Sequence, residues 1–459
     1  MQVCFDQDLI VRYGGRGPRY TSYPTALQFT EDLTEADYRQ KASASNDSDV
    51  PLSLYVHIPF CHSLCYYCGC NKIVTRNEAR VARYMEMLYK EIEMQAALFD
   101  GSRKVEQLHF GGGTPTYLDK EQLGALMKHL RASFNFDDSD AREFSIEVDP
   151  RTVDEERIQE LWDLGFNRLS LGIQDFNEDV QKAVNRMQSP DEVQALVDAA
   201  RNAGFGSISF DLIYGLPHQN VESFDTTLDI VIGMKPDRLA VYNYAHLPQR
   251  FKGQRMIDAE DIPVPETKLD LLHHTIDKLC DVGYVYIGMD HFALPDDELV
   301  LARENGTLQR NFQGYSTHRQ CDLVALGVSG IGGIGNMFAQ NSVSTIEYED
   351  MIERGELPIK KGLLVDDDDL IRAAVIQDLM CYDRLDFDKF GAEHGIDFRE
   401  YFASEVEQLD VLEKDGLLEV SDKGIQITPS GRLLLRNIAM TFDRYIDLEE
   451  NESRFSKAI

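Results

Sequence analysis

The sequence predicts an α/β protein built on a partial barrel, (β/α)6, with an N-terminal arm and a mainly helical C-terminal domain. Three observations predict it. Short apolar runs alternate with longer amphipathic ones from residue 52 to about residue 282, an order that calls for parallel strands joined by right-handed crossovers. About six such units precede Gly283, fewer than the eight of a closed (β/α)8 barrel. After Val365 the alternation stops and helices surround one small hairpin. The expected divisions are an arm over 1–50, a barrel with an extension over 51–360 and a C-terminal domain over 361–459.

The arm is dominated by residues 12–24, too rich in Gly and Pro for a regular helix, and it carries Arg12, Arg16 and Arg19. The first strand is expected at 52–58, followed by a cysteine-rich loop and a helix over 77–99. A strand at 105–110 runs into three glycines, with a helix from about 120. Strands at 143–148, 168–173, 208–214 and 238–244 continue the series, with helices at 153–164, 178–203, 220–233 and 265–282. Every polar motif falls at the C-terminal end of one of these strands: the cysteine loop, 111–116 (GGGTPT), 147–150 (EVDP), Gln174 with Asp175, 211–217 (DLIYGLP) and 243–248 (NYAHLP). That is the edge where such barrels place their sites. In the C-terminal domain, strands at 417–420 and 425–428 and a last helix at 430–445 give a winged-helix-like pattern. Acidic residues through 347–370 and 443–452 oppose a DNA-binding reading.

Charge points the same way. Lys plus Arg number 46 against 79 Asp plus Glu, a net charge of −33. Such a field repels nucleic acid and anionic membrane surfaces, and any anionic substrate needs a local basic pocket. The N-terminus has acidic residues where a signal peptide has lysines, and no apolar run of about 18 residues occurs. A cytoplasmic protein with reduced cysteines is therefore expected.

Half of the eight cysteines fall within residues 61–70. Cys61, Cys65 and Cys68 form CxxxCxxC, and Cys70 follows. Three thiolates on one loop suit zinc, Cu(I) or an iron–sulfur cluster. Structural zinc wants four ligands, and no second CxxC or HxxxH pair completes such a site. A [4Fe-4S] cluster on three cysteines keeps one iron open. CxxxCxxC, with the aromatic Tyr67 before its third cysteine, resembles the signature of the radical S-adenosylmethionine (SAM) enzymes.

The resemblance extends nearly end to end to the family of oxygen-independent coproporphyrinogen III oxidases. It rests on 17–24 (GPRYTSYP), 55–70 (YVHIPFCHSLCYYCGC), 110–117 (FGGGTPTY), 211–217, 287–292 (IGMDHF) and 311–315 (NFQGY). It implies a radical SAM barrel with a [4Fe-4S] cluster on Cys61, Cys65 and Cys68 and two molecules of SAM. Tyr55, Gly112, Glu147, Ala245 and Ile331 match contacts of the first SAM. Tyr67, Gly113, Thr114, Gln174, Arg186 and Asp211 match the site of the second. Cys70, as a non-ligand, is a catalytic candidate with Gln313 and Tyr315, and the arm's arginines are weaker candidates for holding substrate. The glycine-rich 330–335 (GIGGIG) is read as backbone closely approaching the SAM pocket.

The implied chemistry begins with a low-potential electron donor such as flavodoxin or ferredoxin. The reduced cluster cleaves SAM, and the 5′-deoxyadenosyl radical takes hydrogen from a propionate of coproporphyrinogen III. Loss of carbon dioxide and one electron leaves a vinyl group, and two such steps give protoporphyrinogen IX. A monomer is the expected state. The alternatives are a haem-trafficking chaperone on the same scaffold and a zinc scaffold protein.

Overall fold

A computed structural model describes residues 3–318 and 321–446. The chain forms two compact units, each assembled from separated segments: Phe29–Thr267 with Gln320–Leu364, and Met1–Gln28 with Lys268–Arg319 and Val365–Ile459.

The first unit is built on six parallel strands: β1 (Leu52–Ile58), β2 (Lys104–Gly112), β3 (Glu143–Val148), β4 (Arg168–Gln174), β5 (Ser207–Tyr214) and β6 (Arg238–Asn243). They lie side by side in chain order. Alternation explains their two faces. In β1, Leu52, Leu54, Val56 and Ile58 are buried on one face while Ser53, Tyr55 and His57 project from the other. Helices α1 (Glu78–Ala96), α2 (Lys120–Ser133), α3 (Glu155–Asp163), α4 (Glu178–Ala183), α5 (Pro190–Ala203) and α6 (Val221–Met234) complete the repeats. Helix α1 shows why they form. Asn77 caps its first turn by accepting from the Arg80 N–H, and Val81, Tyr84, Leu88 and Ile92 recur at helical spacing on its buried face.

Beyond β1 the sheet continues through β7 (Asp322–Leu326), which is parallel to β1, and then through antiparallel β8 (Ile331–Ile334), β9 (Met337–Asn341) and β10 (Ile359–Leu364). The expected barrel extension takes this form, though the six-unit reading located none of its strands. The glycine-rich run 330–335 is part of it. One of its glycines lies hard against protein backbone: a Cβ on Gly332 would stand 2.6 Å from the Leu323 carbonyl oxygen.

The helix expected over 178–203 is two helices. Ser189 caps α5 in a reciprocal box with Glu192, and Pro190 occupies its first turn, where a missing N–H costs nothing. Asn185, at φ +54°, turns the chain between them.

The second unit packs Tyr20, Tyr23, Leu379, Phe390, Phe402, Leu435 and Phe442 into one core. Its three-stranded antiparallel sheet comprises Arg384–Asp386, Gly424–Ile427 and Leu418–Ser421, with helices Asp367–Tyr382, Phe387–His394 and Ala403–Lys414. The hairpin matches the expectation and the first strand adds to it. The expected last helix is shorter, a 3-10 turn Gly431–Leu434 leading into Leu435–Met440. The arm also holds a helix, Gln7–Tyr13, capped by Asp6, so Arg12 sits in a helical turn and the irregular stretch starts at Gly14. Among the described residues, no helix is long and apolar enough to cross a membrane.

Candidate active site

A cavity of about 1070 Å³ opens at the C-terminal ends of the strands of the first unit. Cys61, Cys65, Cys68 and Cys70 line it, with Tyr67, Gly112, Gly113, Thr114, Glu147, Gln174, Arg186 and Asp211. Most of the expected site residues thus converge on one space. Tyr55, Ala245 and Ile331 belong to the same unit but do not line the cavity. Gln313 and Tyr315 belong to the second unit. There the Tyr315 hydroxyl donates to the Met380 carbonyl at 3.0 Å, and the Gln313 N–H donates to Asn311 Oδ1 at 2.9 Å.

The cysteine loop departs from β1. Phe60–Cys61 pairs in parallel with Ile73–Val74, which closes the loop into a tight hoop. Donors surround the sulfurs. Arg151 Nη2 lies 3.2 Å from Cys65 Sγ, Arg186 Nη1 3.5 Å from the same atom and Thr114 Oγ1 3.5 Å from Cys61 Sγ. The Cys70 N–H points at Cys68 Sγ at 3.4 Å, and the Cys70 thiol, hydrogen-bonded to Cys68, is the main influence pulling the Cys68 thiol down to about 6. Three clustered sulfurs ringed by N–H and O–H donors fit a cluster held by thiolates, whose negative charge those donors offset.

Asp149 holds the two arginines. Its Oδ2 accepts from Arg151 Nη2 at 2.6 Å and Arg186 Nη1 at 3.1 Å. Burial opposes its charge, but the guanidinium pair outweighs burial and keeps its carboxyl below the ordinary range. Arg186 is buried, with Nε lacking a partner among the described residues. A buried guanidinium on a cavity wall suits a carboxylate-bearing ligand.

Beneath the cavity the polar faces of the strands form a connected network. Tyr55 and His109 are register partners whose rings stack at 5.9 Å. His109 Nδ1 meets Ser145 Oγ at 2.5 Å, and its Nε2 meets Glu147 Oε1 at 3.3 Å. Glu147 Oε2 accepts from the Gly112 N–H at 3.2 Å. Asp211 accepts from Ser170 Oγ at 3.3 Å; burial, then the Glu147 charge, pushes its carboxyl up to about 7. His57 is held below its ordinary pKa by burial. Neutral, it donates from Nε2 to the Asn71 carbonyl at 3.0 Å and accepts the Tyr55 hydroxyl at Nδ1 at 3.1 Å.

The triple glycine serves this network. Gly112 has φ +117°, and a Cβ there would stand 2.7 Å from the His57 ring; a Cβ on Gly113 would stand 2.7 Å from the Pro59 backbone. Both positions therefore need glycine to clear the protein's own histidine and loop, while still lining the cavity. Gln174 is at φ +67°, a left-handed conformation rare outside glycine, where the register with β5 shifts. Sequence reasoning missed His57, His109, Asp149 and Arg151. The first two were legible in the alternation of β1 and β2; Asp149 stood inside a quoted motif. The value of Arg151 lies in its distance to Cys65, which no spacing reports.

Residues 55–231 match the radical SAM superfamily, and residues 365–434 match the HemN C-terminal domain. An oxygen-independent coproporphyrinogen III oxidase of Pseudomonas aeruginosa is 52% identical over 457 residues, covering 100% of this chain and 99% of the relative. The chain belongs to that family. Its Escherichia coli relative is 50% identical over 458 residues, again covering 100% of this chain and 99% of the relative. The solved structure described as coproporphyrinogen III oxidase (HemN) from Escherichia coli, a radical SAM enzyme, superposes with a TM-score of 0.92 at 49% identity, over 97% of this chain and 100% of that one. The first unit is therefore a radical SAM barrel, and the family's cofactors are a [4Fe-4S] cluster and SAM. This membership sets aside the haem-chaperone and zinc-scaffold alternatives.

Proposed function

We propose that this radical SAM enzyme converts two propionate side chains of coproporphyrinogen III into vinyl groups without oxygen, giving protoporphyrinogen IX. The observation that carries the reading is full-length membership of the oxidase family together with the three-cysteine cavity. Cys61, Cys65 and Cys68 would hold the cluster, which with SAM supplies the one-electron chemistry that removes hydrogen from the propionate. Each propionate loses one hydrogen atom and carbon dioxide and passes one further electron to an acceptor.

The chain's own residues bind and orient. Glu147, fixed by the Gly112 N–H and His109, accepts hydrogen bonds from the first SAM, with Tyr55, Gly112, Ala245 and Ile331 around it. Arg186, braced by Asp149, pairs with the carboxylate of a second SAM beside Tyr67, Gly113, Thr114, Gln174 and Asp211. Asp211, whose carboxyl burial pushes up to about 7, can donate as well as accept there. Cys70 stays off the cluster as a thiol beside it. Gln313, Tyr315 and the arm's arginines hold substrate. Arg12 and Arg19 are ion-paired with Asp415 and Asp290, so they bind propionate by exchanging partners. The electron comes from a flavodoxin or ferredoxin, and the enzyme works as a cytoplasmic monomer.

Anaerobic turnover of coproporphyrinogen III with SAM and dithionite tests the reading by product analysis. Vinyl-bearing porphyrin after reoxidation is the expected result; SAM consumption with an unchanged porphyrin would overturn it.

A further inference from the structure

The cysteine loop is clamped by one segment of its own unit. Gln254 is buried, and its Nε2 donates to the Tyr67 carbonyl at 2.8 Å and the Ala245 carbonyl at 3.2 Å, while its Oε1 accepts from the Leu247 N–H. The Phe251 ring covers Gly69, where a Cβ would stand 3.2 Å from Cζ, and Gly253 lies against Leu64 and the Tyr66 carbonyl. The same segment turns a different set of side chains to solvent. Arg250, Lys252 and Arg255 are exposed, with Leu247 38% and Met256 62% exposed among them.

The charge of this surface is out of character. Residues 247–256 carry three cations and no acid in a protein of net charge −33. Among the described residues, Arg250 and Lys252 form no ion pair. Arg250 lies over the Phe251 ring at 5.4 Å, and Arg255 Nε donates to the Pro248 carbonyl at 3.0 Å. Arginines and lysines bridged to their own carboxylates would only offset acidity; these present their charge outward. None of the three lines the cavity, which argues against a role in holding the anionic substrate there.

We infer that Arg250, Lys252 and Arg255, with Leu247 and Met256, form the docking surface for an acidic, low-potential one-electron carrier protein of the flavodoxin or ferredoxin class. The inference rests on the reading that the neighbouring loop holds the cluster. The carrier is oxidised by one electron, and the cluster is reduced from its 2+ to its 1+ state; no atom is transferred. Position favours this partner, since Gln254 ties the patch to the Tyr67 carbonyl, one peptide from Cys68. Its make-up does too. Electron-transfer encounters are small and charge-steered, and an acidic carrier meeting an enzyme of net charge −33 needs a local cationic patch.

The test compares the holoenzyme with the triple variant Arg250→Glu/Lys252→Glu/Arg255→Glu, and with Lys128→Glu/Lys235→Glu as a charge control. Cluster bleaching on mixing with reduced flavodoxin is followed by stopped-flow absorbance, and flavodoxin affinity is measured by titration. At low ionic strength the triple variant should be reduced roughly 10- to 100-fold more slowly and bind flavodoxin correspondingly more weakly, with the gap closing as salt is raised. Its reduction by dithionite and its dithionite-driven turnover should match the parent, and the control should keep the parental flavodoxin rate. An unchanged flavodoxin rate in the triple variant overturns the proposal. So does a raised porphyrin KM under dithionite, which would assign the patch to substrate. A parent that makes no vinyl product with dithionite instead defeats the proposed function, while the bleaching rates still judge the docking surface.

Discussion

Serine at position 61, 65 or 68 removes one of three thiolates from a set with none to spare, so each variant should purify without cluster iron and without SAM cleavage. Cys70→Ser should keep a full iron and sulfide content; an iron-free Cys70→Ser protein would show that the ligand set is wrong. A second residue-scale prediction concerns Glu91 on α1, fully buried and accepting from the Gly327 N–H at 2.7 Å, Asn341 Nδ2 at 2.7 Å and the Tyr348 hydroxyl at 2.6 Å. Burial pushes its carboxyl up to about 7. A raised folded-state pKa means that the stabilising contribution is complete below the unfolded pKa and is lost as pH rises through the folded value. Between about pH 4.5 and 7 the parent should lose up to about 1.4 kcal/mol per pH unit from this group. Urea melts across that range should show this component missing in Glu91→Gln; parallel profiles would mean that Glu91 does not titrate there.

The strand-end turns are where the elements meet the chemistry. Gly112→Ala removes no reacting group, yet its Cβ would overlap the His57 ring in a backbone conformation that alanine resists. Stability should fall by about 1–3 kcal/mol and SAM affinity with it, because His57 and the Gly112–Glu147 bond shift together. Denaturant melts beside equilibrium SAM binding check this, and intact binding in a destabilised variant would separate the turn from the site. The same turns mark how far the sequence could be read. Strands β1 to β6 were legible because each buries one alternating face, and Glu143–Val148 was placed to the residue. The break between α4 and α5 was written in Ser189, Pro190 and Glu192, but the apolar periodicity running through it masked the stop. Strands β7 to β9 follow one another with no helix between them, and β10 returns antiparallel to β9 after helix Thr345–Glu353, so the parallel βα rhythm that located the others was silent there. The converging cysteines, Glu147 and Asp211 were legible at strand ends, and Arg186, in the turn between α4 and α5, only through the family resemblance. The bracing of Arg186 by Asp149 was not, because it is set by side-chain reach across two turns.

At the scale of the molecule, sequence and packing divide the chain differently. Residues 365–434 match a family as one module, yet their core is completed from far upstream. Tyr20 and Tyr23 are buried within it, Arg436 Nε donates to the Pro18 carbonyl at 2.9 Å, and the Tyr20 hydroxyl donates to Asp443 at 3.0 Å. Arg303 and Arg432 share the buried carboxylate of Asp383. A fragment of residues 365–446 would leave Asp383 and Arg436 short of partners, and breaking a buried ion pair costs about 3–5 kcal/mol. The fragment should therefore lack a cooperative thermal transition and near-ultraviolet circular dichroism; a sharp melt would show that the module stands alone. The arm also leaves the ribosome well before its partners around 436–443. At translation rates of about 5–20 residues per second, some 420 intervening residues take roughly 20–85 s. Throughout that interval two tyrosines destined for a core face water, and a newborn chain would offer a chaperone this arm long after the barrel strands have emerged.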